Sequence, residues 1–373
     1  MKKSILFKVN GNKAWIGGVY YRRNVIFSVL QNNELMEEYN IIIYCLNSFK
    51  EEFSVFEKAA IVISYDKFDK EQWYSILYNY NVKYFFALEA LDIQRMMGIN
   101  GSNWIPDFQH CILPQFFSDD EINSRNYSFS KWINSKQPLF LSSYAAYEDM
   151  KKYFGDKNNV YILHFVAYIE NEISLLCDKY MDKVCEKYKL TDKNIILISN
   201  QFWQHKNHKI VFEAIGKLSK KGTIDDNVVF TFTGNLQDYR NPDYYNQLLQ
   251  LVNDSHIKPY INILGYIDRL EQLAIMKKSK FVIQPSLFEG WGITLEECKV
   301  LDKRVILSDI PVHREQMNDN CLLFNPSDCD ELCDCIERFM CTQYESNINK
   351  GIAQMYLDAR EYSKAFKEMI YNN

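Results

Sequence analysis

Two carboxylates, Glu289 and Glu297, bracket a glycine-rich turn in the stretch Phe288-Glu289-Gly290-Trp291-Gly292-Ile293-Thr294-Leu295-Glu296-Glu297. Carboxylates accept hydrogen bonds from hydroxyls, while free backbone N–H groups at a helix start and the positive end of its dipole favour a diphosphate. Glycine at 290 and 292 lets the backbone approach a ligand closely. One carboxylate before the turn and one after it could hold the two ends of a molecule with a diphosphate at its middle, such as a sugar joined to a nucleotide diphosphate. A local reading competes at the second carboxylate. Thr294-Leu295-Glu296-Glu297 has the form of a capping box, in which Glu297 reaches back to the Thr294 N–H. Glu289, directly before Gly-Trp-Gly, has no such local partner.

Three other segments carry candidate chemistry. In Ser199-Asn200-Gln201-Phe202-Trp203-Gln204-His205-Lys206-Asn207-His208, Lys206 is a candidate point charge for a phosphate, against the alternative of an ordinary surface lysine. His205 and His208 imitate a metal pair without an evident third ligand. Near the amino terminus, residues 10–20 read as a loop entering a helix, where Gly17 and Gly18 either expose N–H groups to a phosphate or acceptor or simply make a tight turn. His110, in Trp104-Ile105-Pro106-Asp107-Phe108-Gln109-His110, follows a strand and either faces a crevice or packs as a structural imidazole.

These residues need strands and helices to hold them. Short apolar runs at residues 5–9, 41–45, 60–63, 84–88, 104–105, 139–141 and 160–163 predict one series of strands. Runs at 195–198, 228–233, 261–264, 281–283, 304–307 and 321–324 predict a second, with helical periodicity between them. This rhythm is that of doubly wound α/β domains, in which ligands bind beyond the carboxyl ends of parallel strands. A chain of 373 residues suits two domains of roughly 150–200 residues each. The expected division is an N-terminal domain over 1–190, a C-terminal nucleotide-sugar domain over 191–350 and a final helix over 351–373 that caps either domain, packing back on the first as one option.

Composition narrows the function. The net charge of −5 and the absence of a dense Lys/Arg stripe argue against nucleic acid as a partner. Ten cysteines without C-x-x-C pairs point to a reducing cytoplasm and no disulfide framework. Cys329, Cys333, Cys335 and Cys341 fit an amphipathic helix better than a zinc site. Asp328-Cys329-Asp330 has the Asp-x-Asp form of a metal site but reads as acidic capping of a helix start. No run approaches the ~18 apolar residues that span a bilayer, so the expected protein is soluble or peripherally attached to a membrane.

Together these segments resemble the retaining glycosyltransferases of family 4, whose GT-B architecture consists of two facing Rossmann-like domains. The resemblance rests on the pair Glu289 and Glu297, on Lys206-Asn207-His208, on Leu264-Gly265-Tyr266-Ile267, on residues 305–311 and on Asp107-Phe108-Gln109-His110. It implies that Glu289 holds sugar hydroxyls and Glu297 the ribose diol. The amides around Gly292, Ile293 and Thr294 would bind the distal phosphate, and Tyr266 and Ile267 would frame the base. Lys206 would offset charge on the leaving diphosphate, and His110 would lie near the transferred sugar. The family commonly places an arginine five positions before the lysine; here that position is Gln201, so part of the clamp's charge must come from elsewhere or diphosphate affinity is lower. The implied activity is metal-independent, with no cofactor beyond the nucleotide-sugar co-substrate. It moves a hexose-type sugar to a glycan or lipid-linked acceptor in surface polysaccharide assembly. The alternative is a catalytically silent nucleotide-sugar-binding subunit.

Overall fold

The computed structural model describes residues 2–9, 16–86 and 98–372. Every strand pairing among them is parallel, and the strands read as buried apolar runs because helices cover both faces of such sheets. All the strands expected from the apolar runs are present within a residue or two of their predicted ends; residues 87 and 88 of the run at 84–88 lie outside the described residues.

The first sheet has the order β3-β2-β1-β4-β5, with β1 at Lys3–Val9, β2 at Tyr39–Leu46, β3 at Ile61–Tyr65, β4 at Val82–Phe86 and β5 at Asn100–Gly101. A second, smaller sheet is β6-β7-β8 (Asn103–Ile105, Leu139–Leu141 and Val160–Ile162). β5 was not expected, since two residues with no apolar side chain give no periodic signal. It is nevertheless consequential. β5 pairs with β4 and β6, one residue further on, pairs with β7, so a single extended stretch joins the two sheets. Gly101 suits this crossing because a Cβ there would stand only 3.1 Å from the Phe85 carbonyl oxygen.

The third sheet has the order β11-β10-β9-β12-β13-β14. Its strands are β9 (Asn194–Ser199), β10 (Val228–Thr233), β11 (Ile261–Gly265), β12 (Phe281–Gln284), β13 (Val305–Ser308) and β14 (Cys321–Phe324). Chain order therefore runs outward from β9 in one direction and from β12 in the other, and the reversal between these two neighbours is the topological switch point at which α/β sheets bind ligands. Its core is continuous, from Ile196, Ile198 and Phe230 through Phe281 and Ile283 to Phe212, Phe232 and Ile336.

The chain divides into two compact units, one comprising 1–111, 119–168 and 354–373 and the other 112–118 and 169–353. The long segment of the second unit begins at Ile169, earlier than the expected boundary at 190. Helix Asp178–Lys187 explains the difference. It buries Met181, Val184 and Cys185, and it is tied to helix Arg269–Lys278 by Lys187–Glu271 at 2.6 Å and Lys278–Asp182 at 2.8 Å. The expected boundary at 190 and 191 falls in a short turn inside this unit, directly before β9. At the other end, helix Ile348–Tyr371 contributes its first residues to the second unit and Gln354 onward to the first. Among the described residues no helix is long and apolar enough to cross a membrane.

Candidate active site

At the switch point the loop after β9 carries Lys206 and the loop after β12 carries Glu289. Their side chains meet, with Lys206 Nζ 2.6 Å from Glu289 Oε1 and both largely buried. Sequence gave these residues separate tasks; the geometry makes them a pair. Ser286 Oγ donates to the same carboxylate oxygen at 2.6 Å. Ser308 Oγ in turn donates to the Ser286 carbonyl at 2.5 Å, and His313 Nδ1 lies 2.8 Å from the Ser308 carbonyl. Burial opposes ionisation of Glu289, but the charge of Lys206, the hydrogen bonds from Lys206 and Ser286 and the nearby His313 outweigh it and hold its pKa below the ordinary 4.5.

The Lys206 loop is held from behind. Asp238 accepts the Gln204 N–H at 3.0 Å and sits 3.4 Å from Arg240 Nε. The Arg240 guanidinium stacks over Phe117 and Trp203 and reaches His205 Nδ1 at 3.2 Å. The His205 carbonyl accepts the Leu287 N–H at 2.7 Å, which ties the Lys206 loop to the Glu289 loop. Gln201 lies half-buried in this loop, and its carbonyl accepts the Trp203 N–H. Asn207 takes up a left-handed conformation with φ of 55° and starts helix His208–Lys221. His205 and His208 are not a metal pair: His205 faces Arg240, and His208 stacks on Phe202 at 4.3 Å.

The glycine turn differs in detail from its reading in sequence. Helix Ile293–Val300 has Gly292 as its N-cap, without a side-chain cap. Thr294 is thus inside the first turn, and its hydroxyl reaches the Ser199 carbonyl at 3.4 Å. The capping-box reading of Glu297 is therefore overturned, because the box requires Thr294 at the cap position. Glu297 instead lies 1% exposed, with Arg269 Nη2 2.5 Å from its Oε1. The Gly292 N–H, expected to face a phosphate, donates to Gln316 Oε1 at 3.1 Å, while Gln316 Nε2 donates to the Gly292 carbonyl at 2.8 Å. Gln316 thereby holds the two peptide groups that flank the Gly292 Cα. The N–H groups of Ile293 and Thr294 remain in the first turn, where a helix has no carbonyl of its own to offer them.

Tyr266 and Ile267 follow Gly265, whose φ of +69° turns the chain away from β11; Tyr266 is 70% exposed and Ile267 half-buried. Gly17 and Gly18 stand in the first turn of helix Ile16–Val29 in the first unit, where the Gly18 carbonyl accepts from Arg22 at 3.2 Å; residues 10–15 of that loop lie outside the described residues. His110, expected near a transferred sugar, is 1% exposed. Its Nε2 lies 3.0 Å from Asn126 Oδ1 and its ring packs edge-on against Phe129, and burial depresses its pKa. This is the environment of a packed structural imidazole. Asp328 caps helix Cys329–Cys341 by accepting the Asp330 and Glu331 N–H groups, and Asp330 pairs with Lys217 at 2.6 Å, so the Asp-x-Asp segment is engaged in capping and a surface ion pair.

Sequence reasoning missed Arg269, Ser286, His313 and Gln316. None lies in a motif, and each becomes visible only when strand order brings its loop to the switch point.

The buried imidazoles make a prediction about pH. Burial lowers the pKa of His208 from 6.5 to about 3, helped by Lys206, and lowers those of His205 and His313 as well. The folded protein binds fewer protons than the unfolded chain below pH 6.5, so stability is full above that value and falls as pH drops. At pH 5 the loss from His208 alone should be about 2 kcal/mol. Thermal melts between pH 7.5 and 5 should show a midpoint that holds above about pH 6.5 and falls below it; a flat profile would contradict the neutral, buried state of these rings.

Comparisons with known proteins agree with this geometry. Residues 182–355 match the profile of the family described as glycosyl transferases group 1. A stretch of 162 residues is 28% identical to the O-antigen chain mannosyltransferase RfbU of Salmonella typhimurium, covering 40% of this chain and 42% of that one. The match thus spans less than half of this curated relative. Among solved structures, a glycosyltransferase from Rickettsia africae aligns over 100% of both chains with a TM-score of 0.71 at 18% identity. Anabaena HepE, solved with UDP and glucose, aligns over 99% of this chain and 100% of its own with a TM-score of 0.68 at 13% identity. At such identities the likeness establishes a fold, that of the GT-B glycosyltransferases with two Rossmann-like domains. The residues matched by that profile contain Lys206, Glu289 and Glu297.

Proposed function

We propose that the protein is a metal-independent retaining glycosyltransferase of family 4. In this reading it moves a hexose-type sugar from a nucleotide-diphosphate donor to a glycan or lipid-linked acceptor in surface polysaccharide assembly, at the cytoplasmic side of the membrane. The observation that carries the reading is the Lys206–Glu289 pair at the switch point, beside a helix start with N–H groups to offer. The group 1 match over this unit and the relative that is an O-antigen mannosyltransferase support it.

The chemistry follows from charge. Negative charge grows on the diphosphate as the sugar leaves, and Lys206 with the first-turn amides would stabilise it. Glu289, ionised and fixed by Lys206 and Ser286, would accept hydrogen bonds from sugar hydroxyls. Attack on the same face, with the departing phosphate taking the acceptor's proton, needs no enzyme nucleophile, so positioning and electrostatics carry the rate. Incubation with UDP-, GDP- and ADP-sugars should raise the melting temperature for one base class, since saturation at 100 times Kd stabilises by about 2.7 kcal/mol. It should also release nucleoside diphosphate slowly without acceptor. Binding without any release would instead identify a silent nucleotide-sugar-binding subunit.

A further inference from the structure

Glu297 is an unusual buried carboxylate. No hydrogen bond of good geometry meets either of its oxygens among the described residues, although Arg269 approaches one of them to 2.5 Å. A buried pair kept for structure gains from full hydrogen bonding, and without it the desolvation of both charges is poorly repaid. The two partners also differ in access. The Arg269 side chain is 18% exposed and that of Glu297 only 1%, so the cation lies on the open side of the pair.

Arg269 is also well placed along the fold. It opens helix Arg269–Lys278, and Gln272, one turn on and on the same face, donates to Ser199 Oγ at 2.7 Å. The Ser199 carbonyl is the group that accepts the Thr294 hydroxyl. The starts of both helices therefore converge on the end of β9. Glu297 is four residues beyond Ile293, about 6 Å along the axis, and side chains lean toward the helix N-terminus. The carboxylate that Arg269 meets therefore belongs to the helix whose first turn holds the amides of Ile293 and Thr294.

The charges at the site make the case sharper. Lys206 is matched by Glu289, and Glu297 by Arg269. Removing Arg269 would leave the four-residue set with a net charge of −1 facing an anionic ligand, and position 201, a glutamine, adds nothing to offset it.

We propose that Arg269 is a diphosphate-binding residue that holds Glu297 with one edge of its guanidinium and the donor's diphosphate with another. A planar guanidinium with five N–H donors can serve two acceptors at once. This deepens the donor-binding reading above and rests on it. Arg269 supplies the positive charge that Gln201 does not, and in the same contact it fixes the carboxylate assigned to the ribose.

The test is a titration of UDP, GDP, ADP and dTDP, and of their nucleosides, into the parent protein, Arg269→Met, Glu297→Gln and the double variant Arg269→Met/Glu297→Gln. The double variant strands no buried charge and carries the test if Arg269→Met does not fold. Comparing the double variant with Glu297→Gln isolates the arginine. Its loss should weaken the nucleoside diphosphate about 10- to 100-fold, the range of a hydrogen bond to a charged group, and weaken the nucleoside less than about threefold. Equal losses for the two ligands, or no loss for the diphosphate, would overturn the proposal while leaving the donor reading intact. A parent protein that binds none of the diphosphates would remove the donor reading and this inference with it.

Discussion

Replacing Lys206 with alanine should lower kcat by roughly 10²–10³ at saturating donor, the cost of removing one preorganised group from developing negative charge. The structure adds a second signature. Lys206 is the principal group opposing the burial that would otherwise raise the Glu289 pKa. Without it the carboxyl should titrate at higher pH, with the Ser286 hydroxyl left as a hydrogen-bond donor to the anion. The acid limb of the pH profile for donor binding should therefore move upward in the variant. A surface lysine would change neither quantity. Steady-state kcat and donor KM across pH 4–8 check both, and a parental kcat with an unmoved acid limb would remove the main electrostatic element of the mechanism.

Gly234→Ala should be the most damaging small substitution in the second unit. The residue has a φ of +135°, and a Cβ on it would stand 2.2 Å from the Asn200 carbonyl oxygen, 2.6 Å from its carbon and 2.8 Å from the Gln201 nitrogen. All three are backbone atoms, so no side chain can swing aside to make room. The Gly234 N–H is also held by the Gly265 carbonyl at 2.9 Å, which opposes retreat on the other side. Strain in a glycine-only conformation together with this overlap should cost about 3–5 kcal/mol. The displaced atoms begin the loop that carries Lys206, so donor affinity should fall along with stability. Gly216→Ala serves as the control. It lies within helix His208–Lys221, where a Cβ meets only ordinary contacts at 3.8 Å, and alanine there should be neutral or stabilising. Thermal melts of the two variants settle the matter; similar midpoints would sink the steric argument.

The sheets were legible in the sequence because parallel strands are buried on both faces and so appear as unbroken apolar runs. Asn100–Gly101 escaped because its place in the sheet comes entirely from backbone pairing with β4. Lys206 and Glu289 were legible as residue types in suitable loops. Their pairing was not, since it depends on β9 lying beside β12 across a long separation in the chain. At Glu297 a local pattern misled: the helix begins at Ile293 rather than beyond Thr294, and that shift turns the expected cap into a buried charge facing Arg269. Gln316 illustrates the opposite case. A glutamine on a short helix carries no signal in isolation, yet it fixes the backbone on both sides of the Gly292 Cα through both its amide atoms.

The helix at the end of the chain has a consequence for biosynthesis. Phe366 and Met369, both wholly buried, belong to the first unit, where Phe366 lies against Phe7 and Phe86. During translation that unit emerges first but cannot complete its core until residues 169–353 have also been made. At ribosomal rates of about 5–20 residues per second the wait is roughly 10–40 s, during which the surface awaiting Phe366 is exposed to chaperones and to neighbouring nascent chains. Early termination near residue 353 would therefore harm the half of the protein synthesised first.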